Sequence, residues 1–101
     1  MKEFKDLKFE EDFGNGLLRW DGSKSAVMKF ENGWGVKVGQ GMRFNSSDDT
    51  YEVIILRDGF EWRHPSYPSY ELHYLEEDEV TYFMKKVQEF EPVTDNATDK
   101  N

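Results

Sequence analysis

Four glycines fall within nine residues in the stretch FENGWGVKVGQG, which covers residues 30–41. A glycine cluster of this kind either binds a phosphate group or turns the chain. If residues 31–33 form a three-residue loop, Gly33 takes the left-handed bulge position. Three apolar pairs then share one face of a hairpin: Phe30 with Trp34, Met28 with Val36, and Ala26 with Val38. Lys29 and Lys37 lie on the other face, so the stretch predicts a β-hairpin with one buried side.

The phosphate-binding alternative lacks its sequence context. A Walker loop needs the pattern Gly-x-x-x-x-Gly-Lys-Ser/Thr between a strand and a helix, and a dinucleotide fingerprint needs a glycine turn that opens a helix. The segment from Gly33 to Val38 is similar to the glycine-rich hairpin of protein kinases, but the other kinase motifs are absent from the sequence. We therefore expect a structural hairpin and no cofactor.

The next apolar segment is the strongest strand candidate. Residues 51–57, YEVIILR, are rich in β-branched side chains and almost continuously apolar, as in an interior strand. Asp58-Gly59 then predicts a two-residue turn into a second hairpin. In that register Ile55 faces Trp62, and Leu56 lies on a less buried side.

Apolar residues recur at helical spacing near the end of the chain: Val80, Phe83, Met84, Val87 and Phe90. The segment before them is acidic. Glu76 occupies the cap position, Glu79 the reciprocal position of a capping box, and Leu75 the position of a hydrophobic staple. Because Pro92 ends the pattern, we predict a helix over residues 77–91.

These elements predict the fold class and the extent of the domain. We expect a single α+β domain over residues 1–91, with a small antiparallel sheet of two hairpins, about four strands in all, and one C-terminal helix packed on one face. Residues 17–20 are β-like and are closed by an Asp21-Gly22 turn. The polar residues 92–101 are expected to form a disordered tail.

The composition limits the classes of partner and of chemistry. The chain has a net charge of -8, and residues 61–101 hold ten acids against four bases. This excess disfavours nucleic acid as a partner and favours a basic surface on another protein. The absence of cysteine excludes disulfides and Cys-ligated zinc. No segment is apolar enough to span a membrane, so we expect a soluble, cytosolic protein.

Four motifs follow one another in the chain: FENGWGVKV, YEVIILRDG, YLEEDEV and MKKVQEF. This order resembles a family of small uncharacterised proteins from tailed bacteriophages, with an NGYGVSV-like hairpin, a YEVAVL-like strand, a DTP-type loop and a YLTEEEV-like helix start. The resemblance covers about residues 28–90. This chain differs in the loop, where HPSYPSYELH replaces an acidic segment, and at the cap, where Glu76 replaces the usual Thr. The resemblance implies a phage protein of the host cytoplasm during infection, with an α+β scaffold and no established activity.

Two histidines are the candidates for chemistry. His64 and His73 could bind a metal together with Glu71, or one of them could act as a general base. No metal-ligand spacing such as HExxH accompanies them. Loop histidines packed among neighbouring tyrosines are the simpler interpretation, so we predict neither catalytic nor metal-binding residues.

Two surface segments are candidates for partner binding. The acidic run at residues 76–79, together with Asp48-Asp49, can imitate a phosphate backbone and occupy a basic site on another protein, although acids are also common at helix starts. The aromatic loop of residues 62–70 contains side chains that favour interfaces. In the alternative interpretation Trp62 and Tyr70 close one end of the core, which we expect of Trp62 more than of Tyr67. The predicted partner-binding residues are Glu76, Glu77, Asp78, Glu79, Arg63, His64, Tyr67 and Tyr70.

The sequence thus favours a small acidic accessory protein, not an enzyme, that binds and modulates or inhibits a host or defence-system protein. Two alternatives stay open. One is a small metal- or nucleotide-dependent enzyme that uses His64 and His73. The other is a phage assembly component in which a sheet edge pairs with a second copy of the chain. No nucleic acid or membrane is expected as a partner.

Overall fold

The computed structural model describes residues 1–14, 16–17 and 21–94. Five strands form one antiparallel sheet in chain order: β1 (Glu10–Glu11), β2 (Lys24–Lys29), β3 (Trp34–Gln40), β4 (Glu52–Arg57) and β5 (Phe60–Glu61). One α-helix, α1 (Glu77–Gln88), follows the sheet, and short 3-10 helices cover Phe4–Asp6 and Ser69–Leu72. The predicted α+β class is confirmed. The sheet has one strand more than expected, because β1 pairs with the start of β2.

The β2–β3 hairpin has the predicted register. Met28 pairs with Val36 and Ala26 with Val38, and Gly33 has the positive φ of 88° that its position in the loop requires. Val36 and Val38 are completely buried. The glycine-rich stretch therefore turns the chain and presents one apolar face to the core.

The loop of this hairpin also caps α1. The Asn32 side-chain amide donates to the carbonyl oxygens of Val87, Gln88 and Phe90 at 2.9, 3.2 and 3.2 Å. The Val87 carbonyl also accepts the Phe90 N–H at 3.1 Å, so a tight final turn and the Asn32 amide together bond the carbonyls at the point where the helix ends, Gln88. The prediction that the helix continues to residue 91 was wrong, because a loop residue distant in sequence stops it before Pro92 does.

The start of the helix follows the prediction more closely. Glu76 is the N-cap, and its N–H donates to the Glu79 carboxylate at 2.9 Å, which is one half of the predicted capping box. Leu75 and Val80, the two residues of the predicted staple, are both buried in the same apolar cluster. The acidic first turn is thus held in a defined geometry.

The core lies between α1 and one face of the sheet. The helix contributes Val80, Met84 and Val87, each at most 1% exposed. The sheet contributes side chains from β3 and β4, together with the ends of the loops around them. Phe4 and Phe9 add an aromatic edge by packing against Tyr51, with ring centroids 4.9 and 5.6 Å away. Aromatic side chains therefore extend a core whose centre is aliphatic.

The second hairpin turns at Asp58-Gly59, and both residues have positive φ, 53° and 88°. The Trp62 N–H donates to the Ile55 carbonyl at 2.9 Å, which confirms the predicted register. Leu56, expected on a less buried side, is only 7% exposed, and it pairs with Gly35 of β3 and Glu61 of β5. The second face of the sheet is therefore partly covered as well.

Two predicted segments fall wholly or partly outside the described residues. Of the β-like segment at residues 17–20, only Leu17 is described, whereas the Asp21-Gly22 turn is present, with φ 86° at Gly22. Of the predicted tail, residues 95–101 are outside the description. Val93, which we assigned to that tail, packs against the core and donates its N–H to the Asn32 carbonyl at 2.8 Å.

Candidate functional site

The acidic helix start and the acidic loop before β4 lie at the same end of the molecule. Tyr51 and Leu75 exchange backbone hydrogen bonds of 2.7 and 2.8 Å as an antiparallel bridge, and the Tyr74 N–H donates to the Asn45 carbonyl at 3.0 Å. The chain segments next to this bridge therefore lie side by side. We call the six carboxylate residues on these segments the acidic end: Asp48, Asp49, Glu76, Glu77, Asp78 and Glu79.

The acidic end is exposed, and no cation among the described residues pairs with it. All six residues are solvent-exposed. Within the described part of the chain, the ion pairs involve other acids: Lys85 pairs with Glu3 at 3.4 Å, and Lys37 and Arg43 both approach Asp12 at 3.4 Å. The negative charge at this end is consequently available to an external cation.

The negative field of the acidic end also reaches the core. Burial raises the pKa of the Tyr51 phenol above its usual value of 10.0, and the negative charge of Glu77 raises this pKa further, against a hydrogen bond with Gln40 that lowers it. Tyr51 is 7% exposed. Glu77 is thus electrostatically coupled to a buried group, although its own side chain is in solvent.

The aromatic loop divides into residues that pack inward and residues that face solvent. His64 stacks on Phe90 with a centroid separation of 4.4 Å and an interplanar angle of 20°. Tyr67 packs against Phe90 and, edge to face, against Phe83, at 5.9 and 5.7 Å. Two of the predicted partner-binding residues, His64 and Tyr67, are therefore half-buried in an aromatic cluster that extends the core.

Trp62 and Tyr70 face solvent. Trp62 is 45% exposed, with the Arg57 guanidinium 4.9 Å from the ring centroid. Tyr70 is 72% exposed, and Arg63 is exposed as well. The expectation that Trp62 and Tyr70 close the core was wrong. The loop instead places Tyr67 against the helix residue Phe83 and against Phe90, and leaves Trp62 and Tyr70 exposed.

Two exposed tyrosines near the acidic end were not predicted. Tyr74 is 58% exposed and has a positive φ of 56°, and Tyr82 is 54% exposed. Tyr82 was detectable from the sequence, because it lies off the apolar stripe of α1 and one helical turn after Asp78. Tyr74 was not, since its direction depends on the bond between its N–H and the loop before β4.

The two histidines make separate contacts. His73 Nε2 lies 3.5 Å from the Glu52 carboxylate, and His64 Nδ1 accepts the Ser66 N–H at 3.1 Å. In the described residues there is no group of three or more His, Asp or Glu side chains arranged to hold a metal ion. Each histidine thus has a local structural contact.

Two surface grooves are lined by none of the six residues of the acidic end. One, of about 850 Å³, is lined by three lysines, Lys2, Lys5 and Lys29, and by Asn32 and Gln88 near the end of α1. The other, of about 580 Å³, lies between β4 and the aromatic loop. None of the helices in the described segments has the length and apolarity of a membrane span.

Comparison with known proteins found no match to a protein-family model, to a curated protein or to a solved structure. The resemblance to tailed-phage proteins therefore stays a prediction that rests on the quoted motifs.

Proposed function

We propose that this protein binds another protein through its acidic end, and that the partner presents a basic surface. The observation that carries the proposal is the group of six exposed carboxylates with no cation partner among the described residues. Such a concentration of negative charge attracts and orients a positively charged surface, and so raises the association rate.

The structural frame of the acidic end supports this proposal. The capping bond at the start of α1 and the Tyr51–Leu75 bridge fix the backbone that carries the carboxylates. A charged surface that is already ordered loses less conformational entropy on binding than a flexible acidic segment does. The fixed backbone therefore favours the interpretation that the acidic end competes with nucleic acid for a basic site. It argues against the alternative that these charges serve only solubility.

Exposed tyrosines beside the acidic end supply apolar contact area. Tyr74 directly precedes the Leu75 bridge, Tyr82 follows Asp78 by one helical turn, and Tyr70 lies in the 3-10 helix just before them. Tyrosine is enriched among the residues that dominate binding energy at interfaces. We therefore assign the carboxylates to steering and these three rings to anchoring. The phage resemblance favours a host protein as the partner, whose activity would be modulated or inhibited.

The proposal is tested by affinity capture with charge-reversal variants. The test variant carries Glu77→Lys and Asp78→Lys, which change exposed carboxylates and leave the Glu76–Glu79 capping bond intact. The matched control carries Glu10→Lys and Glu11→Lys, an exposed acidic pair on β1 with the same change in net charge. Each protein is immobilised and exposed to lysate from a bacterial host, and bound proteins are identified by mass spectrometry.

We expect the wild type and the β1 control to capture the same protein, and the α1 variant to lose it. Higher salt should weaken the capture, because exposed charges are screened. Equal capture by both variants, or none by the wild type, would reject the acidic end as a binding surface. Circular dichroism of the three proteins shows whether the fold is retained.

A further inference from the structure

The residue that caps α1, Asn32, is followed by Gly33, and an Asn-Gly dipeptide is chemically reactive. The backbone nitrogen of the glycine attacks the carboxamide carbon of the asparagine, because glycine has no side chain that hinders the approach. The new N–C bond closes a cyclic succinimide, and the side-chain nitrogen leaves as ammonia with the proton of the glycine N–H. Water then opens the ring to aspartate or isoaspartate. Asparagine is accordingly counted among the thermolabile residues.

In the folded protein both reacting groups of this dipeptide are hydrogen-bonded. The Gly33 N–H donates to the Phe30 carbonyl at 3.1 Å. The Asn32 carboxamide donates to three carbonyls at the end of α1 and accepts the Trp34 N–H at 3.1 Å. Ring closure requires these bonds to break, because the Gly33 nitrogen must lose its proton and the carboxamide must turn toward it. The fold therefore opposes the reaction at Asn32.

Contacts with distant segments also fix the backbone of the dipeptide. The Asn32 carbonyl accepts the Val93 N–H at 2.8 Å, and the Gly33 carbonyl accepts the Asp58 N–H at 3.0 Å. The Val93 side chain packs directly on Gly33, since a Cβ placed on the glycine would lie 2.9 Å from the Val93 Cβ. The loop is therefore released only when its contacts with the helix end, the segment after it and the β4–β5 turn open together.

Either product of the reaction removes the cap. Aspartate and isoaspartate lack the amide donor that bonds the carbonyls of Val87, Gln88 and Phe90. Both place a negative charge at the C-terminus of α1, where the helix dipole disfavours it. Isoaspartate also adds a methylene group to the main chain and displaces Gly33 from its bond to Phe30. A chain that has reacted cannot rebuild the contacts by which Asn32 joins the hairpin to the helix.

We propose that Asn32 is a deamidation site that the folded structure keeps closed, and that it reacts when the protein unfolds. An unfolded chain then loses the cap of α1 permanently, because the ammonia is released and the amide is not restored. Chemical modification of unfolded chains is a general cause of irreversible unfolding. This site does not involve the acidic end, and its chemistry does not depend on the proposed protein partner.

The test compares the reaction in the folded and the unfolded full chain, incubated at mildly alkaline pH in buffer and in concentrated urea. Trypsin separates Asn32, in the peptide of residues 30–37, from the other Asn-Gly asparagine, Asn15, in the peptide of residues 9–19. Mass spectrometry detects the mass increase when the amide nitrogen is replaced by oxygen. We expect the two asparagines to react at similar rates in urea, and Asn32 to react at least about tenfold more slowly in buffer than in urea.

Two variants test whether packing keeps the site closed. Val93→Ala removes the side chain that lies on Gly33 and should raise the rate at Asn32 in buffer by about threefold or more. Val27→Ala, at a 65% exposed position of β2, is the matched control and should react as the wild type does. An unchanged rate in Val93→Ala would contradict the proposal. If that variant fails to fold, the comparison of buffer with urea for the wild type decides the question.

The loss of the cap is tested on wild-type protein that has partly reacted in urea. The sample is returned to buffer and treated with a protease that degrades unfolded chains. The folded protein that survives should contain a smaller share of modified Asn32 than the sample did before. An undiminished share would overturn the proposal, and so would equal rates at Asn32 in buffer and in urea, or no reaction at Asn32 in urea where Asn15 reacts.

Discussion

The side-chain amide of Asn32, in the β2–β3 loop, donates a hydrogen bond to the carbonyl oxygen of Val87 in α1, with an N···O distance of 2.9 Å. The same amide reaches two further carbonyls, and its Oδ1 accepts the Trp34 N–H at 3.1 Å. A single side chain therefore organises the hairpin loop and ends the helix. The Trp34 indole adds a bond from Nε1 to the Glu91 carbonyl at 2.8 Å.

The first prediction concerns this cap. Asn32→Ala should lower the free energy of unfolding by about 2–3 kcal/mol, because it removes the Asn32 partner of the Gln88 and Phe90 carbonyls and of the Trp34 N–H. Asn32→Asp keeps the acceptor but lacks the donor and places a negative charge at the helix C-terminus, so it should destabilise the protein by at least as much. Urea denaturation measures both values. Wild-type stability in Asn32→Asp would show that the donated bonds contribute nothing.

The second prediction separates the two kinds of loop tyrosine. Tyr67→Ala should lower the free energy of unfolding by about 2 kcal/mol, because it removes a ring packed on Phe83 and Phe90. Tyr70→Ala, at a 72% exposed position in the same loop, should change it by less than about 0.5 kcal/mol. Thermal denaturation followed by circular dichroism measures the difference. Similar losses in the two variants would contradict the inward placement of Tyr67.

The third prediction concerns the pH dependence of stability that comes from Asp12. Burial raises the pKa of this carboxyl, but a hydrogen bond from Ser25, another from the Gly14 N–H and the cations Lys37 and Arg43 together lower it below the ordinary value of 3.8. A lowered pKa in the folded state means that the stabilisation is complete above pH 3.8 and is lost as the pH falls through the folded-state pKa.

Asp12→Asn should therefore destabilise the protein at neutral pH, and the difference from the wild type should shrink below pH 3.8. Denaturation at a series of pH values checks this. Glu10→Gln, at an exposed acid on β1, is the matched control for the loss of one carboxylate. A difference between wild type and Asp12→Asn that stays constant down to acid pH would show that the carboxyl is not held ionised by these partners.

The fourth prediction tests the coupling between Tyr51 and Glu77. The raised pKa of Tyr51 means that its contribution to stability is complete below pH 10.0 and is lost as the pH rises through the folded-state pKa. Ultraviolet titration of the tyrosines should show one phenol that ionises at a higher pH than the others. In Glu77→Gln this titration should move back toward pH 10.0, because one of the charges that raise the pKa is gone.

Asp78→Asn is the control for this titration, since Asp78 is not among the groups that shift the Tyr51 pKa. In this variant the phenol that ionises at the highest pH should titrate as it does in the wild type. Identical titrations of the wild type and Glu77→Gln would place Glu77 too far from the phenol to act on it.

Much of the fold follows from local patterns in the sequence. The register of the β2–β3 hairpin was predictable because only one loop length puts Phe30 and Trp34 on the same face and gives Gly33 its positive φ. The start of α1 was predictable for a similar reason, since Glu76 and Glu79 form the capping contact within one turn. In both cases the residues that decide the structure are close together in the sequence.

The remaining features depend on contacts between distant parts of the chain. The helix end is decided by Asn32, 55 positions from Val87 along the chain. The inward packing of His64 depends on Phe90. The acidic end forms because the Tyr51–Leu75 bridge joins two segments that share no sequence pattern. The sequence suggested that the acidic run at residues 76–79 acts together with Asp48 and Asp49, but no local pattern indicated the backbone bridge that brings them to one end.

The acidic end is tested most directly by the affinity of the purified captured protein for three forms of this chain, measured by isothermal titration calorimetry at low and high salt. We predict that Glu77→Lys with Asp78→Lys weakens binding at least about tenfold at low salt, that the salt dependence becomes smaller, and that Glu10→Lys with Glu11→Lys binds as the wild type does. Equal affinities for the three forms, with no dependence on salt, would contradict the proposal.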